Sequence, residues 1–325
     1  MADRISRFFK EILAGFVFVN YSEELMEKLK IQDIMTGVPV PLSKEDLLIY
    51  SSGKAVSATK VAENMTFIIG ADTDFKYNEP YKEYMKRFFD NHMIEDILKV
   101  GVKAIGEENL YKACIHFRAA LAFVPNMMEA MFNYARVCRQ IYLDSDQEDE
   151  IGFFKAEALE VFEKLTIEHP KFDKPYYFLG YMYLNLGLYT KAKLTFEEFL
   201  KLSKDPRDVE EITIRIKELD GPQLVEAACN LVISGRYQEG AAALEPFVGG
   251  EFDKWWPLHF YLGTAYEELA EPLKAIDSYK RVLKLNASHI ETMEGLVRIY
   301  HQNGDIDNVD KYLKKIELVE AEIED

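Results

Sequence analysis

DKPYYFLGYMYLNLGLYTKAKLTFEEFLKLSKDP, residues 173–206, carries two apolar stripes at helical spacing. In the first, Tyr176, Leu179, Gly180 and Tyr183 follow one another at intervals of 3, 1 and 3. In the second, Tyr189, Ala192, Phe196 and Phe199 follow at 3, 4 and 3. Each set lies on one face of an α-helix, because residues three and four apart stack along the same side. Gly180 and Ala192 leave room for the faces to meet, and Gly187 marks the turn between them, glycine being the residue that most readily ends a helix. The stretch predicts a helix hairpin 34 residues long.

The same frame recurs along the chain. A copy near Ile94 has Gly101, Leu110, Ala113, Phe117, Ala120 and Pro125 in the equivalent places. One from Met128 has Tyr134, Ala135, Ala158, Phe162, Leu165 and Pro170, with about 11 additional residues between its helices. The copy from Gly221 has Ala228, Gly235, Tyr237, Gly240, Leu244 and Phe247, and that from Trp256 has Leu262, Gly263, Tyr266, Ala275 and Tyr279. The last, from Ile290, keeps Gly304 but has Val297, Val309, Leu313 and Ile316 where small and aromatic residues would stand.

This pattern resembles the tetratricopeptide (TPR) repeat, whose first helix carries an aromatic residue, Leu-Gly and Tyr, and whose second carries Ala and Phe. The resemblance covers residues 94–323. It implies an all-α fold, a right-handed α-solenoid of TPR helix hairpins preceded by a small N-terminal helical unit. One hairpin cannot bury both its faces, so stacked neighbours must supply the stability. The expected organisation is an N-terminal unit over 1–90 and a TPR superhelix over 91–325. Its copies fall at 94–127, 128–172, 173–206, 221–254, 256–289 and 290–323. An extra helix at 207–219 is predicted by Asp205-Pro206 at its start and by the apolar edge of Ile212, Ile216 and Leu219. The closing run Glu317, Glu320, Glu322, Glu324 and Asp325 suits a solvated cap.

The net charge of −17 argues against a nucleic-acid ligand, since such binding rests on Lys and Arg neutralising phosphates. Residues 1–90 hold 12 basic and 14 acidic side chains, so the acidic excess lies mainly in the repeats. Cys114, Cys138 and Cys229 form no CxxC and no even framework, which fits a reducing, cytoplasmic setting, and Cys138 falls at a core position of its helix. The six histidines show no zinc-site spacing. No run of 18 apolar residues is present, so no membrane-spanning helix is expected. Arg4, Arg7 and Lys10 ahead of Ile12–Val19 superficially suggest a secretion signal. Glu11 abuts the apolar run and no small-x-small cleavage site follows. Ile5, Phe8, Phe9, Ile12, Phe16 and Val19 instead form a helical stripe, which predicts an amphipathic helix over 4–19.

Within the N-terminal unit, Ser22 caps a second helix, and the prolines of Gly37-Val-Pro-Val-Pro-Leu42 forbid one. A short helix restarts at Ser43 and runs to about Tyr50. From Lys54 to Ile69, Val61, Met65 and Ile68 give an apolar helical edge, with a strand over 65–69 as the alternative. Gly70 to Glu79 reads as a loop and Pro80 to Phe89 as a helix. No family is recognised in this unit.

Signals for chemistry are weak. Asp72-Thr-Asp74 has no third metal ligand and reads as a turn. The acidic insert 144–150 has Asp149 and Lys155 where a calcium loop needs Gly and Glu, so it reads as a solvated loop. Cys114 and His116, two apart on a helix, do not face each other. Walker, GxGxxG and GxSxG motifs are absent. No catalytic residue, metal or cofactor is assigned.

In TPR proteins the face of each first helix that is not used in packing lines a concave groove, the usual peptide site. The resemblance puts Phe132, Asn133, Arg136, Tyr177, Phe178, Tyr181, Asn185, Phe260 and Tyr261 there. Contiguous aromatic surface of this kind marks either a partner site or a surface filled by another part of the chain. Arg136 and Asn185 suit a peptide backbone or carboxylate. The Lys, Asn, Asn, Lys, Arg set with which TPR co-chaperones grip heat-shock proteins is absent, positions 5 and 9 being Phe132 and Arg136, or Tyr177 and Tyr181. The expected function is a non-enzymatic scaffold binding a protein or peptide partner, with the oligomeric state left open. Two alternatives stand beside it. A helical unit ahead of TPR copies resembles, at the level of architecture, bacterial quorum-peptide receptors, which would make the chain a peptide-sensing regulator. An enzyme with its site in the first 90 residues is the other.

Overall fold

The computed structural model describes residues 3–51, 56–89 and 92–324. Lys54, Asn91 and Asp325, which bounded segments of the sequence reading, lie outside the described residues. Among those described, the only strands are two of four residues, and the rest of the regular structure is helical. Chain contacts define two compact units, Met1–Met182 and Tyr183–Asp325.

The first unit opens with a tight turn of 3-10 helix, Ser6–Phe9, and a short helix α1, Lys10–Leu13. A strand β1, Phe16–Val19, follows. The amphipathic helix expected over 4–19 is therefore corrected. Gly15 follows α1, and Phe16-Val-Phe-Val19 alternates residues that favour a pleated surface. Its partner is β2, Val40–Ser43, the proline-bearing stretch that cannot be helical, paired antiparallel with Phe16 opposite Ser43 and Val19 opposite Val40. Between the strands lie α2, Glu23–Leu29, capped by Ser22, and α3, Gln32–Met35. After them come α4, Lys44–Ser51, α5, Ala58–Ala71, and α6, Asn78–Phe88. The strand alternative over 65–69 is not taken, since Met65 to Ile69 lie inside α5, which Ser57 caps by accepting from the Lys60 N–H at 3.2 Å.

Helix hairpins follow. α7, His92–Gly106, pairs with α8, Leu110–Phe123, and α9, Met128–Asp144, pairs with α10, Glu148–Glu168. The insert of this second hairpin is not a loop. Only residues 145–147 connect the helices, and Glu148, Asp149 and Glu150 form the first turn of α10, where carboxylates favour the helix dipole. The additional sequence lengthens the helices to 17 and 21 residues. α11, Asp173–Asn185, contains the division between the units.

The second unit continues with α12, Tyr189–Leu202, then α13, Pro206–Glu218, the helix predicted outside the repeat frame. Asp205 starts α13 by accepting from the Arg207 N–H at 3.0 Å. Three hairpins follow: α14, Asp220–Ile233, with α15, Tyr237–Leu244; α16, Trp256–Glu268, with α17, Pro272–Leu285; and α18, Ile290–Gln302, with α19, Ile306–Glu324. The Tyr279 ring fills the space left by two glycines. A Cβ on Gly263 would come within 2.5 Å of it, and one on Gly295 within 2.7 Å.

Five hairpin turns among the described residues share one device. The second residue after the first helix is left-handed: Glu108 (φ 57°), Gly187 (72°), Gly235 (77°), Ala270 (56°) and Gly304 (74°). The next N–H then reaches back five residues, Asn109 to Ala104, Leu188 to Tyr183, Arg236 to Leu231, Glu271 to Tyr266 and Asp305 to Tyr300, at 2.8–3.0 Å. This is the Schellman closure, which satisfies carbonyls that a helix end leaves open. The α9–α10 turn does without it, Ser145 being extended there.

Candidate functional site

The sequence-predicted residues gather into two groups and a remainder. In the first unit, α9 contributes Phe132 and Arg136, and α11 contributes Tyr177, Phe178 and Tyr181. The Phe132 ring lies 4.9 Å from Phe172 and 5.9 Å from Phe178. Phe178 in turn stacks on Phe162 of α10, at 5.4 Å and 15°. Tyr177 is set edge-on to both Phe178 (5.4 Å) and Tyr181 (5.2 Å). All five rings from Phe132, Phe172, Tyr177, Phe178 and Tyr181 are half-buried, so each has both packing neighbours and an open side.

Two cations complete this surface. The Arg136 guanidinium lies 5.6 Å from the Phe132 ring, and that of Arg139 lies 5.5 Å from the Phe178 ring. The attraction is that of a cation to the negative face of an aromatic ring. Both arginines, with Gln140 and Phe178, line a pocket of about 140 Å³ floored by Ile105, Leu110 and Val137. Neither makes an ion pair with a described carboxylate, and the Arg139 Nε is buried without a hydrogen-bond partner. In a chain of net charge −17, two arginines lacking acidic partners make a local reversal of sign.

The other predicted residues make contacts of their own. Asn133 turns back on its own helix, donating to the Glu129 carbonyl at 3.0 Å. Asn185, in the second unit, is exposed at the end of α11. Phe260 packs within a different aromatic group, 4.9 Å from His289, 6.2 Å from Tyr279 and 6.3 Å from Trp256. Tyr261 adjoins it at 5.5 Å, and burial raises its phenol above the ordinary range. Phe162 and Phe172 were not among the predicted site residues. Arg139, three positions beyond Arg136, falls with Gln140 on the same groove-facing side of the first helix in the repeat frame. Phe162 was assigned to the hairpin core, which it does enter while also stacking beneath Phe178.

The N-terminal segment makes its contacts elsewhere on the first unit. Phe8 lies 5.3 Å from Phe154, and Phe9 lies 5.9 Å from Tyr111. Arg7 lies 3.9 Å above the Phe153 ring and pairs with Asp149 at 2.8 Å, while Arg4 pairs with Glu160 at 2.9 Å. These partners belong to α8 and α10, the second helices of their hairpins.

The weaker chemical signals resolve into structural roles. Asp72 accepts from the Asp74 N–H at 3.1 Å, closing its own turn. Cys114 and Cys138 are wholly buried, and burial pushes the Cys138 thiol well up. His116 is packed edge-on against Phe67 at 4.9 Å, with Nδ1–H donating to the Lys112 carbonyl at 2.7 Å. Burial lowers its pKa.

Comparison with known proteins agrees with this architecture. The family model described as "Tetratricopeptide repeat" matches residues 174–206 and 258–289. The crystal structure of the P58(IPK) TPR domain aligns with 83% of this chain and 80% of its own, at 14% identity and a TM-score of 0.51, a likeness of fold. A tetratricopeptide repeat protein from Parabacteroides merdae aligns over 81% of this chain and 93% of its own, at 15% identity and a TM-score of 0.35. The MamA protein aligns over 71% and 93%, at 16% identity and a TM-score of 0.29. A search of curated protein sequences returns no match. With the two matched copies, the recurring hairpins and their common turn, this chain carries tetratricopeptide repeats.

Proposed function

We propose that the chain is a protein-interaction scaffold and that the surface formed by Phe132, Arg136, Arg139, Tyr177, Phe178 and Tyr181 binds an extended segment of a partner protein. The observation that carries the reading is the pair of arginines, set over Phe132 and Phe178 and unpaired with any described carboxylate. A partner carboxylate, from an acidic side chain or a chain terminus, offers the oxygens that a guanidinium takes best. The half-open rings beside it suit an apolar or aromatic side chain of the same segment. Two further facts support this choice of face. Residues 3–9 are engaged on α8 and α10, and the charge of this patch is opposite to that of the chain as a whole.

Affinity capture from the native cell extract tests the proposal, comparing wild type with Tyr177→Ala plus Tyr181→Ala, both shown to be folded by circular dichroism. Loss of a partner by the double variant is the expected result. Equal capture of every partner by the folded variant rejects this surface as the binding site.

A further inference from the structure

A cavity with a different lining lies in the first unit, around Arg118 of α8. The Arg118 side chain is only 6% exposed. Its NH2 group donates to the Asp3 carboxylate and, at 3.1 Å, to the Ser6 hydroxyl. NH1 is buried and has no hydrogen-bond partner among the described residues. Leaving a buried N–H unsatisfied costs about 1–3 kcal/mol, more when the group is charged. Arg118 lines a cavity of about 360 Å³, within the range of sites for small molecules.

The cavity has a polar end and an apolar one. Leu121, Met131 and Val161 furnish apolar wall, while Lys82 and Lys164 join Arg118 as cations. Lys82 is paired with Glu79, whereas half-buried Lys164 makes no ion pair with a described residue. Two carboxylates also line the space, and both are engaged. Asp3 accepts from Arg118 and, at 2.5 Å, from the Thr73 hydroxyl. Glu157 accepts from the Tyr134 hydroxyl at 2.7 Å, and burial raises its carboxyl toward the neutral form. Glu79 offsets Lys82 and Asp3 offsets Arg118, which leaves Lys164 as the cation of this cavity with no ion pair among the described residues. The chain's own Asp3 shows which group this environment accepts, being buried there as a carboxylate held at about 2 by Arg118 and its hydroxyl donors against the opposing effect of burial.

We propose that this cavity binds a small organic acid, a monocarboxylate with a short apolar tail, its acid group on Lys164 and Arg118 and its tail against Leu121, Met131 and Val161. This inference is independent of the protein-binding surface on α9 and α11. Lys164 offers a single charge without an ion-pair partner among the described residues, which matches a carboxylate better than a phosphate dianion.

Hexanoate serves as the probe and hexanamide as its uncharged counterpart, titrated into the full chain at constant ionic strength and followed by calorimetry and thermal unfolding. Hexanoate is expected to bind saturably and raise the melting temperature, with hexanamide inert at the same concentrations. Lys164→Met removes a half-buried surface cation and should weaken hexanoate by about tenfold. Tyr177→Ala plus Tyr181→Ala should leave it unchanged. Absence of saturable hexanoate binding, equal binding of hexanamide, or an unaltered affinity in folded Lys164→Met overturns the proposal. Tighter binding of phenyl phosphate than of hexanoate overturns the assignment to a monocarboxylate.

Discussion

Gly70 of α5 faces the Ile115 carbonyl of α8 so closely that a Cβ would stand 1.9 Å from its oxygen. The two helices approach backbone to backbone, and no side-chain rotation can relieve an added methyl. Gly70→Ala should therefore force α5 away from α8. A loss of about 3 kcal/mol is expected, at the upper end of overpacking effects and against the usual helical preference for Ala. Chemical denaturation measures it directly. A stabilised Gly70→Ala protein would mean that the helices do not approach in this way.

Ala270 and Glu108 occupy turn positions where Gly187, Gly235 and Gly304 stand in the other hairpins. A residue bearing a Cβ is strained in the left-handed region by roughly 1–2 kcal/mol, while glycine brings extra entropy to the unfolded chain. The first effect should win at these positions. Ala270→Gly is expected to raise stability by about 0.5–1 kcal/mol, seen as a higher denaturation midpoint with an unchanged slope.

The Asp3–Arg118 contact makes stability depend on pH in a defined window. Burial alone would raise the Asp3 carboxyl, but Arg118 and the Ser6 and Thr73 donors bring it down to about 2 from an ordinary 3.8. Its contribution is fully present above 3.8 and is lost as the pH falls through about 2. The shift corresponds to about 2 kcal/mol, and Asp3→Asn should remove this component. The stability difference between wild type and Asp3→Asn should thus shrink by that amount between about pH 4 and pH 2. A difference constant with pH would show that Asp3 does not ionise against Arg118.

Phe178 and Arg136 belong to one surface but should differ in what their removal does to folding. Phe178 stacks on the wholly buried Phe162, so Phe178→Ala should lose about 3 kcal/mol, less than that only insofar as the ring is half-open. Arg136 is exposed, and Arg136→Ala should change stability by no more than about 0.5 kcal/mol. Thermal and chemical unfolding of the two variants distinguish them. The contrast makes Arg136→Ala the cleaner test of partner capture.

The repeating part of the fold was legible because its period is carried by sterically demanding positions. Gly263 and Gly295 are small because the Tyr279 ring lies against both, and Gly187, Gly235 and Gly304 recur because their turns are left-handed. Such requirements leave fixed residue types at fixed intervals. The N-terminal segment carries no period. Ile5 to Val19 has helical spacing, yet Gly15 and the pairing of Phe16–Val19 with the distant strand Val40–Ser43 prevail over it. Nothing local in residues 16–19 announces that partner. The candidate surface was legible for the same reason as the repeats, since Phe132, Tyr177, Phe178 and Tyr181 follow from position within the frame. Phe260 packs with His289 and Trp256, contacts that the frame does not encode. The Arg118 cavity depends on Asp3 meeting a residue 115 positions away, a pairing with no signature in spacing.

The lengthened second hairpin is not equivalent to the other copies. The added turns of α10 include Asp149, Phe153 and Phe154, which receive Arg7 and Phe8. A uniform 34-residue copy in the same place would present no such landing for Arg7 and Phe8. Repeats of equal length are interchangeable in order; this one is not, because its longer second helix carries the residues that receive Arg7 and Phe8.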